Sequence, residues 1–297
     1  MNSSNNILDL SKNVVYDRVF QGQVRHEKYI FENLYPDDLK VYNLISNYYK
    51  ISTKNIAIGF GSGEILSRIL QSFKFKDLHV LEPTYHAAER FCNYHNIEYK
   101  PIYYSNFNKI DIEDLPINTN IYIANPNGNN GHSFSKEEIQ YIIDNNNLVI
   151  LDEAYIEYGS ESFINKFQSN VIILRTFSKS LGLPGIRCGF CVSTTSNIQK
   201  IRSIEMPYCS TSYSGMILEN HIDKIPKIVE RMKIGKTYIE SSFDHIKSDG
   251  CYVLLDKKYD SIFKDKFLYS YRGDYIRLAL TNKEHLEGVW LENLEKH

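Results

Sequence analysis

Short, largely apolar runs recur along the first two thirds of the chain, at residues 56–58, 78–81, 121–124, 148–151, 171–174 and 189–192, and a mixed segment at 97–103 also reads as a strand. Runs of this kind, bounded by turn residues, predict strands buried on both faces of a sheet. Between them the apolar positions fall at helical spacing: Leu39, Tyr42, Ile45 and Tyr49 share one face over 39–49, and further helices are expected over 64–72, 86–95, 135–145 and 197–204. Strand and helix in alternation predict an α/β fold with a mainly parallel sheet. Ser135-Lys-Glu-Glu138 reads as a capping box at the start of its helix.

After the break at Met206-Pro207 the pattern changes, with one long helical stretch over 214–243, strands over 251–255 and 275–280, and a last helix over 283–294. The expected division is an N-terminal arm with the first helix (1–44), a large domain (45–207) and a small C-terminal domain (208–297). Neither an internal repeat nor a low-complexity linker interrupts it.

Composition narrows the class. With 42% hydrophobic and 24% charged residues over 297 positions, the chain can bury one large core and a smaller companion. A net charge of −2 gives no basic surface for nucleic acid or membrane. The 23 tyrosines suit polar-tipped packing and interfaces. No apolar run is long enough for a membrane span, and the polar start Met1-Asn-Ser-Ser-Asn-Asn6 does not read as a signal peptide. Five cysteines, an odd number, argue against a disulfide framework and for a reducing, cytoplasmic setting. Cys188-Gly-Phe-Cys191 has no second pair and sits where a strand sends its side chains to opposite faces, so it is expected to pack rather than bind metal.

The chemistry concentrates in Thr176-Phe-Ser-Lys179-Ser-Leu-Gly-Leu-Pro184-Gly-Ile-Arg187. The strand over 171–174 brings Thr176, Ser178 and Lys179 to its carboxyl end, where ligands of open α/β sheets bind. A desolvated lysine at such a mouth can form a Schiff base with an aldehyde. The hydroxyls of Thr176 and Ser178, with Arg187, suit a phosphate dianion, and the aldehyde that carries its own phosphate is pyridoxal phosphate. Read in isolation, the same lysine is a surface residue of a polar loop. The turn Gly61-Ser-Gly63 before a helix lets backbone N–H groups approach a phosphate. Tyr85, after the strand over 78–81, can stack on a flat ring. Asp152 follows the strand over 148–151 and reaches the same rim as Lys179.

Together these segments resemble fold type I pyridoxal-phosphate enzymes of aminotransferase class I/II, in the histidinol-phosphate aminotransferase branch. The matching motifs, in order, are Gly61-Ser-Gly63, the turn Asn125-Pro-Asn-Gly-Asn-Asn-Gly131, Asp152-Glu-Ala-Tyr155 and the segment around Lys179. The resemblance implies that Lys179 carries the cofactor, Asp152 faces its pyridine nitrogen and Tyr155 bonds its phenolic oxygen. It further implies that Ser62, Gly63, Thr176, Ser178 and Arg187 hold the phosphate and that Tyr85 stacks on the ring. Arg277, in Ile-Arg-Leu-Ala-Leu, is then the fork that grips a substrate carboxylate.

A homodimer is implied as well, with Tyr35 reaching the neighbouring subunit's cofactor phosphate and the N-terminal arm crossing the site mouth. The chain departs from the family at Gly128, where an asparagine usually contacts the phenolic oxygen; either Asn127 or Asn129 takes over, Asn127 preferred, or the contact is missing and the cofactor's electronics are tuned differently. The small domain is shorter than usual. The activity implied is amino transfer from an amino acid or amino-acid-like donor, phosphorylated ones included, to a 2-oxo acid. The alternatives are a threonine-phosphate-type decarboxylase, which shares the motifs, and a non-catalytic binding protein of the same fold.

Overall fold

The computed structural model describes residues 8–9, 35–159, 161–166, 168–264, 267–281, 283 and 286. The elements up to the Met206-Pro207 break are β1 (Leu8–Asp9), α1 (Asp38–Tyr49), β2 (Ile56–Gly59), α2 (Ser62–Phe73), β3 (Asp77–Glu82), α3 (Ala87–Tyr94) and β4 (Glu98–Tyr103). They continue with β5 (Asn120–Ala124), α4 (Lys136–Asp144), β6 (Leu148–Asp152), β7 (Val171–Thr176), α5 (Phe177–Ser180), β8 (Gly189–Val192) and α6 (Thr195–Arg202).

Seven strands form one sheet in the order β2-β8-β7-β6-β5-β3-β4. The five strands β3 to β7 run parallel, and β8 lies antiparallel to both β2 and β7. Every position of β2, β6, β7 and β8 is buried, as an uninterrupted apolar run demands when helices cover both faces. On one face Ala57, Ile150 and Cys191 pack with Leu66 of α2 and Ile198 of α6; on the other, Ile58, Phe177, Cys188 and Phe190 pack with α1. Cys188 and Cys191 are thus packing residues on opposite sides of the sheet. At the edge, no position of β4 is fully buried, which is why it tolerates Pro101 and a mixed sequence.

The capping box forms as expected: Glu138 N–H donates to Ser135 Oγ at 3.2 Å and Ser135 N–H to Glu138 Oε2 at 2.7 Å. Two helices differ from expectation. α2 begins at Ser62, so Ser62 and Gly63 belong to its first turn. The stretch over 214–243 is two helices, α7 (Ser212–His221) and α8 (Ile225–Glu240), separated by a 3-10 turn at Ile222–Lys224. Pro226 has no N–H to give a preceding turn, and it sits instead in the first turn of α8, where none is needed.

The C-terminal part adds β9 (His245–Ile246), β10 (Tyr252–Asp256), α9 (Asp260–Phe263), β11 (Phe267–Leu268), β12 (Ser270–Arg272) and β13 (Tyr275–Ala279). An antiparallel sheet runs β12-β13-β10-β9, and β11 pairs in parallel with β1. One apolar cluster crosses the 207/208 position, joining Ile45 and Phe190 to Met232, Leu255 and Ile276. The expected helix over 283–294 lies outside the described residues except at Lys283 and Leu286, as do the arm residues 10–34. Among the described residues no helix is long and apolar enough to cross a membrane.

Candidate active site

The carboxyl ends of β3, β5, β6 and β7 open on one rim, and a cavity of about 550 Å³ lies there, closed on its far side by β12 and β13. Lys179, Asp152, Tyr155 and Arg277 all line it. Lys179 stands on the single turn α5, directly after β7. Thr176 caps that turn, its Oγ1 accepting from Ser178 N–H at 3.2 Å and donating to Ser178 Oγ at 3.1 Å. The lysine Nζ lies 5.6 Å from the Tyr155 ring centroid. Burial, the largest influence, lowers its pKa, and the Arg277 and Arg187 guanidiniums act in the same direction. A larger share of neutral amine follows, the form that attacks an aldehyde.

Asp152 ends β6, paired with Ala124 of β5. Its Oδ1 accepts from Ala154 N–H at 3.0 Å and its Oδ2 from the hydroxyl of Tyr122 at 2.7 Å. Burial pushes its pKa up, while these two donors pull it back toward the charged form.

The cavity is also lined by Gly61, Ser62, Gly63, Ser178 and Arg187. Arg187 donates from Nη2 to Phe60 O at 2.8 Å and from Nη1 to Pro184 O at 3.2 Å, which ties the loop after Lys179 to the turn before α2. Gly61 has φ +89°, a left-handed conformation, and a Cβ there would lie 2.7 Å from Arg187 Nη2. A Cβ on Gly189 would lie 2.5 Å from Ser62 N, so only glycine lets β8 pack flush against this turn. Small residues therefore bring the N-terminus of a 12-residue helix, two hydroxyls and a guanidinium into one cradle. That donor set, in one cavity with a lysine and a buried carboxylate, fits pyridoxal phosphate.

Tyr85 lines the cavity and stands close to Gly63, where a Cβ would meet its hydroxyl at 2.8 Å. Arg277, buried on β13, donates from Nε to Ser270 Oγ at 3.2 Å and from Nη1 to Gly128 O at 3.1 Å. Tyr35 lies apart from the cavity: it is 77% exposed and stacks on Tyr208 with ring centroids 4.3 Å apart.

Asn127 is not brought to the cavity. Its Oδ1 accepts from Asn129 N–H and Asn130 N–H, and its Nδ2 donates to Pro83 O at 2.8 Å, so the amide is consumed in shaping the turn. Asn129 and Gly128 face the cavity in its place. Gly128 has a steric reason: a Cβ there would lie 2.6 Å from Tyr155 Cε2, because the Tyr155 ring fills that space.

Arg272 is a charged cavity residue that sequence reasoning missed. It lines the cavity from β12, donating from Nε to Asn129 Oδ1 at 3.3 Å. The available signal was Gly273-Asp274 between two short alternating segments, a two-residue hairpin turn that returns the chain beside Arg277. Among the described residues no cluster of acidic, histidine and cysteine side chains has the makings of a metal site.

A profile of the family "Aminotransferase class I and II" matches residues 3–256. Histidinol-phosphate aminotransferase from Pyrococcus furiosus is 33% identical over 213 residues, covering 67% of this chain and 63% of that protein. The chain thus spans less than two thirds of the length of this relative, and 64% of that of its counterpart from Thermotoga neapolitana. Among solved structures, histidinol-phosphate aminotransferase from Clostridium acetobutylicum superposes with a TM-score of 0.73 at 24% identity, covering 89% of this chain and 91% of that one. L-threonine-O-3-phosphate decarboxylase from Porphyromonas gingivalis gives 0.70 at 17% identity, covering 97% and 98%. These two structures share the fold.

Proposed function

Because this chain belongs to the aminotransferase class I and II family, we propose that it is a pyridoxal-phosphate-dependent aminotransferase. The donor is an amino acid or amino-acid-like compound, histidinol-phosphate-like ones included, and the acceptor is a 2-oxo acid. One observation carries the reading: the amine of Lys179, the buried carboxylate of Asp152 and the guanidinium of Arg277 line a single cavity.

When bound, the cofactor supplies an aldehyde for amines and a ring that takes up electron density from the substrate α-carbon. Lys179 would hold the cofactor through its amine and would supply the base that moves a proton at the substrate α-carbon. Asp152 would keep the ring nitrogen protonated. Tyr155 would donate to the phenolic oxygen. Ser62, Gly63, Thr176, Ser178 and Arg187 bind the phosphate, and Tyr85 covers the ring. Arg277 orients the substrate carboxylate, and Arg272 beside it adds a second positive charge for a doubly anionic substrate.

The same reading includes the division into an arm, a large domain and a small domain at 44/45 and 207/208, and a homodimer in which Tyr35 reaches the partner's site. Supporting the dimer, Tyr35 and its stacking partner Tyr208 are both exposed, as is Met206, at 74%. Five buried cysteines, none in a disulfide, suit a cytoplasmic setting.

The test is an absorbance titration of the purified protein with pyridoxal phosphate, followed by a panel of donors including glutamate and histidinol phosphate. A visible band that depends on Lys179 and is bleached by a donor, then restored by 2-oxoglutarate, is expected. Carbon dioxide release without an acceptor would identify a decarboxylase, and no Lys179-dependent band would leave a non-catalytic binding protein.

A further inference from the structure

In the middle of the aliphatic strand Ile121-Tyr122-Ile123-Ala124, one position carries a phenol. Tyr122 is fully buried, and a buried hydroxyl costs stability unless it is paired. Alternation along β5 places Tyr122 on the same face as Ala124, the residue in register with Asp152 on β6. The phenol therefore rises from beneath, and its hydroxyl donates to Asp152 Oδ2 at 2.7 Å. Tyr122 is not part of the cavity wall, whereas Asp152 is.

We propose that Tyr122 is a positioning residue of the site: it fixes the orientation of the Asp152 carboxylate and sustains its negative charge, so that the carboxylate can face the cofactor's ring nitrogen. The inference rests on the assignment of Asp152 to that nitrogen in the preceding section.

Three features of the surroundings support it. Burial alone would drive Asp152 toward its neutral form, which cannot hold a ring nitrogen protonated. The groups that face Asp152 are Tyr122 from β5, Glu153 and the Ala154 N–H from its own segment, Lys179 from α5 and Tyr85 from the loop after β3. Glu153 opposes the charge. Of the donors that favour it, Lys179 is the reactive residue and leaves its resting position during turnover. The Ala154 N–H and the Tyr122 hydroxyl are fixed. With Oδ1 taken by the backbone and Oδ2 by the phenol, the carboxylate plane is set from both sides.

The test is Tyr122→Phe, which removes one oxygen and keeps the ring, compared in wild-type and Asp152→Ala backgrounds. In the apo-protein, a titration of the Asp152 carboxyl carbon by 13C NMR should show a higher midpoint in Tyr122→Phe, because the lost donor favoured the charged form. The dissociation constant for pyridoxal phosphate should rise about tenfold, the size expected for a hydrogen bond to a charged group, with kcat reduced and KM for the donor unchanged. In the Asp152→Ala background the Tyr122→Phe change should have no effect on cofactor affinity.

An unchanged carboxyl midpoint, or an equal affinity loss in both backgrounds, would overturn the proposal, since the phenol would then only fill space. Should wild type give no Lys179-dependent band, the functional reading fails while the apo titration still decides the Tyr122–Asp152 link. Should Tyr122→Phe fail to fold, 3-fluorotyrosine placed at position 122 gives a stronger donor of nearly the same shape. It should move the carboxyl midpoint downward, and no movement counts against the proposal.

Discussion

Tyr158 donates its hydroxyl to the main-chain carbonyl of Lys179 at 3.0 Å, while Tyr155, one helical turn earlier, lies beside the lysine's Nζ at 5.6 Å. The segment after β6 therefore holds the reactive lysine at both its backbone and its amine. Tyr158→Phe keeps the packed ring and removes that one buried bond. Its expected cost is about 1 kcal/mol, or a fall of roughly 2–4 °C in thermal midpoint by calorimetry. Transamination should slow with KM for the donor unchanged.

The depressed pKa of Lys179 gives a pH signature. Its folded-state value lies below that of a free lysine, so between the two the unfolded chain binds more protons, and this residue's contribution to stability rises with pH across that window. In the apo-protein, acetylation of Lys179 followed by mass spectrometry should reach half its maximal rate at a lower pH than that of a free lysine. Lys179→Ala should abolish the cofactor-dependent absorbance and lower turnover by about 10²–10⁴-fold or more.

Arg277 and Arg272 enter the cavity from neighbouring strands and should divide in their effects. Arg277→Lys loses the fork that grips a carboxylate, and KM for the amino donor should rise about 10–100-fold, the equivalent of a charge-assisted hydrogen bond. Arg272→Gln should leave monoanionic donors nearly unaffected and raise KM for phosphorylated or dicarboxylate donors. Steady-state kinetics on paired substrates separates the two.

Gly128 is expected to be intolerant of a side chain, because the Tyr155 ring occupies the place of its Cβ. Gly128→Ala should destabilise the protein by about 1–3 kcal/mol through overpacking. Displacing Tyr155 should also alter the cofactor's absorbance. In a Tyr155→Ala background the same Gly128→Ala change should cost little further stability in urea unfolding, since the clash would then be gone.

Behind the site, Arg175 lies buried between two carboxylates, donating to Glu153 Oε2 at 2.9 Å and to Glu157 Oε1 at 2.7 Å. Arg175→Met strands both acids, with an expected cost of about 3–5 kcal/mol at neutral pH. Burial already raises the pKa of Glu157, and loss of the cation raises it further. The folded variant therefore takes up protons as pH falls, and its deficit in urea unfolding should be smaller at acid pH than at neutral pH.

Local pattern determined much of this protein. The largely apolar runs of the first two thirds became strands of the large sheet, because such a segment has no stable place except between covered faces, and the mixed segment over 97–103 became its edge strand. Chain order with parallel pairing then carried Thr84-Tyr85, Asp152 and Lys179 to one rim, since parallel strands end on the same side. The capping box and the packing of Cys188 and Cys191 were equally legible, each depending on residues a few positions apart.

Contacts across long sequence separations were decided by the tertiary structure alone. Asn127 was consumed by its own turn and by Pro83, and no feature of the Asn-rich string distinguishes it from Asn129. Arg272 gained its place because a hairpin folds back onto a turn 143 residues earlier in the chain. Tyr122 looks like one more core residue until β5 and β6 are set in register and its hydroxyl meets Asp152. Periodicity specifies which face of an element is buried; which polar atom it meets there depends on the register and packing of segments far apart in the chain, and that information is not local.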